Sequence, residues 1–147
     1  MKKLFLICAS VIVLNSPFAL SSEVKPMLVT DGNLNSETAT DIYFGESDEN
    51  YCTLSLNTKS VTQGIPTKSK SKNNKNIAIE CNWDGAYYVQ SSKHPTAVTA
   101  LFTTLDSSLK SATLEISIKL INTKGYKSFF SLDNKKLLIT GEMFEGL

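Results

Sequence analysis

Nucleophilic catalysis of the Ser/His/Asp or Cys/His kind needs a base beside the nucleophile, and His94 is the only histidine in this 147-residue chain. It stands directly before Pro95, where a capping or loop role accounts for it without catalysis. The carboxylates Asp41, Glu46, Asp48 and Glu49 cluster, and a pair of carboxylates can hydrolyse a glycoside. These four crowd a turn between two strand-like runs, where exposed acids are ordinary, and they lack the ligand spacing of a calcium loop. No zinc, calcium or nucleotide-phosphate motif is present in the sequence. The expectation is a chain with no catalytic residues, no metal site and no cofactor.

The best candidate for a binding site is the aromatic group Trp83, Tyr87 and Tyr88 around Asp84-Gly85. Rings at a strand end can stack on a sugar or a peptide while Asp84 and Asn82 supply hydrogen bonds. The alternative is that these rings finish the core beside a turn. Trp83, Asp84, Tyr87 and Tyr88 are therefore the expected ligand-binding residues, with the core reading open beside them.

What must position these groups begins after a leader. Met1-Lys2-Lys3, an apolar run from Leu4 to Leu14 and the small residues around Ala19 to Ser22 follow the order of a secretory signal peptide. Cleavage after Ser21 is expected, giving a secreted or periplasmic protein. Cys8 falls inside the apolar run, behind Ile7 rather than a small residue, so it reads as a small hydrophobe and not a lipid-attachment site. Cys52 and Cys81 then mature in an oxidising compartment and are expected to pair. Removing Lys2 and Lys3 leaves thirteen lysines against fourteen acids, with no arginine anywhere, so the formal balance moves from +1 to about −1. Such a chain has no global field or guanidinium fork to attract nucleic acid, and no membrane partner is expected after leader removal.

Residues 22–38 are polar, with a short strand candidate at Met27-Leu28-Val29, and read as an N-terminal arm or loose first strand. One domain is expected over 39–147. Alternation along Tyr51 to Leu56 puts Cys52, Leu54 and Leu56 on one face and Tyr51, Thr53 and Ser55 on the other. Ile77, Ile79 and Cys81 share a face in the same way, so both cysteines point inward. The stretch 57–76 between them carries Lys68, Lys70, Lys72 and Lys75 and is read as a solvated mobile loop, with a basic partner-binding tongue as the alternative. After the Asp84-Gly85 turn, Pro95 followed by Val98, Leu101, Phe102, Leu105 and Leu109 at helical spacing predicts one amphipathic helix over about 95–110. Ala112 to Leu120 alternates as a half-buried strand, and Lys136 to Thr140 as the last one. Strands, one helix and strands again, without βαβ alternation, predict an α+β fold whose antiparallel sheet curls into a small β-barrel.

The order of these elements resembles the pertussis-like and subtilase-cytotoxin-like B subunits of bacterial AB5 toxins and their exported relatives. The likeness rests on Ile42-Tyr43 to Tyr51-Cys52, on Cys81 after a loop, and on a helix from Ala97 to Lys110 feeding the strand Thr113 to Ile118. It covers about residues 39–121. The resemblance implies an OB-like barrel and a non-catalytic subunit that binds a glycan or assembles as a homo-oligomeric ring. The other expected role is a periplasmic module that binds or inhibits another protein.

Overall fold

The computed structural model describes residues 23–147, so the expected leader at 1–21 and Ser22 lie outside the described residues. Period-two alternation governs nearly the whole of it. The strands are β1 (Lys25–Leu34), β2 (Glu37–Gly45), β3 (Tyr51–Asn57), β4 (Thr67–Ser69) and β5 (Ile77–Trp83). They are followed by β6 (Ala86–Val89), β7 (Ala97–Asp106), β8 (Ser111–Asn122) and β9 (Phe129–Thr140). A single turn of 3₁₀ helix spans Thr58–Ser60, and α1 (Glu142–Glu145) is the one α-helix among the described residues.

All neighbouring strands are antiparallel, in the order β1-β2-β3-β5-β6-β8-β7-β4, with β9 on β8. A strand has only two hydrogen-bonding edges. Ile121 of β8 lies opposite both Val89 of β6 and Phe129 of β9, while Lys119 lies opposite both Ala97 of β7 and Ser131 of β9. It follows that β6 and β7 share one edge of β8 in succession, and the sheet splits there into two halves that fold over a common core. Ile42, Phe44, Leu54, Leu56, Ile77 and Ile79 from one half meet Phe102, Leu114, Ile116, Leu120, Leu137 and Ile139 from the other. Such burial of alternate residues is the dominant favourable term in folding.

The sheet does not close into the expected barrel. β1 and β9 approach each other without pairing, and α1 packs against both. Met143, Phe144 and Leu147 lie against the core there, and Lys110 forms an ion pair with Glu145 at 2.5 Å.

The predicted helix over 95–110 is strand β7 instead, so the fold is close to all-β rather than α+β. Val98, Ala100 and Phe102 alternate inward, and a bulge between Phe102 and Thr104 then shifts the phase so that Leu105 also packs on the core. Inward residues at 98, 100, 102 and 105 imitate a helical spacing because a bulge adds one residue to the period. Leu109 is 75 % exposed, where a helical face would have buried it. The bulge leaves backbone groups without ladder partners, and Gln63 supplies them: its Nε2 donates to Thr103 O at 3.3 Å and its Oε1 accepts from Leu105 N at 3.2 Å. Where the helix would have ended, Asp106 Oδ1 accepts from the N–H groups of Ser108 and Leu109 and closes a turn.

Two stretches read as loosely held carry strands. The polar arm at 22–38 contains β1, paired with β2 along its length, with Val29 and Leu34 buried. A bulge between Pro26 and Leu28 interrupts its alternation, and the strand extends well beyond the candidate at Met27-Leu28-Val29. The lysine-rich stretch 57–76 is not a free loop. β4 pairs with β7, Asn57 N donates to Asn76 O at 2.9 Å, and Asn35 Nδ2 donates to Asn74 O at 3.0 Å. The disulfide between Cys52 and Cys81 is formed, joining register partners on β3 and β5 whose Cα atoms are 4.0 Å apart, and both cysteines are buried in the core.

Candidate functional site

The β5–β6 hairpin that carries the predicted site turns through Asp84 and Gly85, both with positive φ (50° and 70°). That pair of left-handed residues makes the two-residue turn whose twist suits a hairpin, and Asp-Gly is favoured there. Asp84 N donates to Asn50 Oδ1 at 2.9 Å, so the turn is tied to the acidic turn between β2 and β3.

The hairpin register separates the predicted residues. Trp83 lies opposite Ala86 and Tyr88 opposite Cys81, which puts Trp83 and Tyr88 on the face of the buried disulfide. Both rings pack on Phe130, with centroids 4.7 Å and 5.5 Å away, at the margin of the core. Tyr87 lies opposite Asn82 and so stands on the outer face, and Asp84 is exposed at the tip. The four residues therefore do not form one stacking platform: Trp83 and Tyr88 take the core role, while Tyr87 and Asp84 face outward.

Around Tyr87 the outer face is concave. A groove of about 370 Å³ has as its floor Thr53 and Ser55 of β3, Ala78 and Glu80 of β5, and Tyr87 and Val89 of β6. Lys72 stands on one side, Thr123 and Tyr126 on the other, and Gln90 at the end of β6. The walls are held in place. Gln90 Nε2 donates to Ser71 O at 3.3 Å, anchoring the lysine-rich stretch, and Thr123 N and Oγ1 donate to Tyr87 O at 2.9 Å and 3.2 Å. Tyr126, at φ 54°, stacks on His94 with ring centroids 5.3 Å apart and planes 6° from parallel. His94 Nδ1 is 3.0 Å from Ser91 Oγ within a turn that Thr96 closes, so this histidine acts as a structural support for the wall.

The electrostatics of the floor centre on one pair. The Tyr87 hydroxyl donates to Glu80 Oε2. Burial, followed by this hydrogen bond and the negative charge of Glu80, pushes the Tyr87 phenol up to about 12. At neutral pH Tyr87 is a fixed donor. Gln90 is only 2 % exposed, and its Oε1 is buried with no hydrogen-bond partner.

Glu80, Gln90, Thr123 and Tyr126 were not among the residues singled out from sequence. The outward positions of Thr53 and Ser55 were legible from alternation in β3, and following the same parity across β5 and β6 reaches Glu80 and Tyr87. Nothing in the sequence placed Tyr126 beside them. No family model matches the chain, and no curated protein or solved structure matches it.

Proposed function

We propose that this chain is an exported, non-catalytic binding protein that holds a polar, ring-bearing ligand of the saccharide class in the outer groove. The observation that carries the reading is a groove floored by the hydroxyls of Thr53, Ser55 and Tyr87 and flanked by the Tyr126 ring. Sites for uncharged polar ligands combine apolar or aromatic walls with a few placed hydrogen-bonding groups. Export is supported by the leader pattern and by the buried disulfide. The binding role is proposed from the groove, since the helix that carried part of the toxin B-subunit resemblance is strand β7. Trp83 is not part of the proposed site.

A protein partner is the second reading. It is favoured by the continuation of the outer face into Tyr43 and Tyr51, a Tyr/Ser/Thr surface of the kind that binds proteins through rigid rings and adaptable hydroxyls.

The test is a glycan array on the disulfide-intact protein, followed by NMR titration with the strongest saccharide probe. Binding should shift the amides of Glu80, Gln90 and Thr123, and Tyr126→Ala should weaken it about tenfold, the equivalent of about 1.4 kcal/mol. If no saccharide binds, or if the shifts centre on Trp83, the saccharide reading of this groove fails.

A further inference from the structure

We propose that the lysine-rich crossing from β3 to β5 is a docking surface for an anionic phospholipid bilayer. The overall charge conceals the feature. Lys59, Lys68, Lys70, Lys72 and Lys75 fall between Asn57 and Asn76 with no carboxylate among them, whereas residues 23–56 hold seven acids and one lysine. All five lysines are exposed. The two ion pairs among the described residues involve Lys110 and Lys136, so none of the five is neutralised by a partner.

The topology makes this segregation directional. The acidic turn with Glu46, Asp48 and Glu49 precedes β3, and the crossing leaves its far end. Seven strand residues separate the two, a distance of about 20 Å at the usual rise. Glu37, which accepts from Asn57 Nδ2, lies at the base of the crossing, so five lysines outweigh one neighbouring acid there and would turn that end toward a negative surface.

Charge alone would suit any polyanion, and a second observation favours a bilayer. Gly64, at φ 76°, turns the crossing outward and leaves Ile65 62 % exposed beside Pro66. Ile65 and Pro66 line the same cleft, of about 630 Å³, as Lys59 and Lys68. A branched apolar side chain between ammonium groups suits the boundary of an anionic leaflet. There the apolar tip enters the acyl region while the lysines reach the phosphates. A soluble polyanion would use the lysines and leave Ile65 in water. The anchoring of the crossing by β4, Asn74 and Gln90 means that these groups are presented without a large ordering cost.

The test is co-sedimentation of the disulfide-intact protein with phosphatidylcholine vesicles made with and without phosphatidylglycerol. The protein should partition only to the phosphatidylglycerol vesicles. The double change Lys59→Gln, Lys68→Gln should reduce the partition coefficient about 25-fold, near fivefold for each lysine. Ile65→Ser should reduce it about tenfold, and the distant pair Lys25→Gln, beside the acidic turn, and Lys136→Gln, on β9, should leave it within twofold. These positions are exposed, and circular dichroism checks each fold; if the double variant does not fold, Lys70→Gln, Lys75→Gln carries the same forecast. Absence of binding, equal binding to pure phosphatidylcholine, or an equal loss in the distant pair overturns the proposal. Retention of full binding by Ile65→Ser also overturns it and identifies a polyanion surface in place of a bilayer one.

Discussion

Breaking the Cys52–Cys81 bridge perturbs this fold with the best-defined magnitude. The bridge closes a sequence separation of 29 residues, for which the chain-entropy relation gives roughly 3.5 kcal/mol at 25 °C. The covalent loop contains the whole lysine-rich crossing and β4, the segment held to the sheet mainly by β4 and single side-chain hydrogen bonds. Cys52→Ala with Cys81→Ala also empties two sulfur positions in the core, adding a cavity cost of about 1 kcal/mol. Urea unfolding of oxidised, reduced and doubly substituted protein separates the two effects. With a slope of about 1 to 3 kcal/mol per molar urea, the reduced protein should lose roughly 1 to 3 M in midpoint, and the double variant slightly more. The core location of both sulfurs also predicts that a reductant acts slowly without denaturant. An unchanged midpoint after complete reduction would refute the reasoning, since it would mean that the unfolded chain gains no freedom from an open loop.

Two other outcomes follow from the geometry. Phe102→Ala should cost about 3 to 5 kcal/mol, because Phe102 is 2 % exposed, whereas Leu109→Ala should stay within about 0.5 kcal/mol, because Leu109 projects from the β7–β8 turn; equal losses by urea unfolding would restore the helical face. The Tyr87 phenol, raised from 10.0 to about 12, holds its proton in the folded state where an unfolded tyrosine releases it. Its contribution to stability is therefore complete below pH 10 and is lost as pH rises toward 12. Ultraviolet titration of phenolate should show one late tyrosine that moves earlier in Glu80→Gln, and the absence of such a shift would remove the Tyr87–Glu80 hydrogen bond from the floor of the groove.

Alternation made much of the sheet readable. Cys52, Leu54 and Leu56, then Ile77, Ile79 and Cys81, then Ala112 to Leu120 at every second residue, are inward in the sequence pattern and buried in the fold. Two inward cysteines on paired strands made the bridge readable too, and Asp84-Gly85 marked the hairpin turn because few other pairs accept two positive φ values. The helix expectation failed at a specific place. The bulge after Phe102 turned a period of two into an irregular spacing, and only the ladder with β8 and the Gln63 side chain made that bulge affordable. A single-chain pattern records the spacing of apolar residues but not which neighbour completes the backbone hydrogen bonds.

The sequence by itself determined which residues lie inward on β3, β5 and β8, the cysteine pairing and the site of the tight turn, because each depends on local parity or local backbone preference. Tertiary structure alone decided the strand character of 97–106, the open seam covered by α1, and the packing of Trp83 and Tyr88 on Phe130. It also gathered Thr53, Glu80, Tyr87, Gln90 and Tyr126 around one groove. Those features depend on hydrogen-bonding partners and packing surfaces brought from distant parts of the chain, and their free energy exists only once the two halves of the sheet have met.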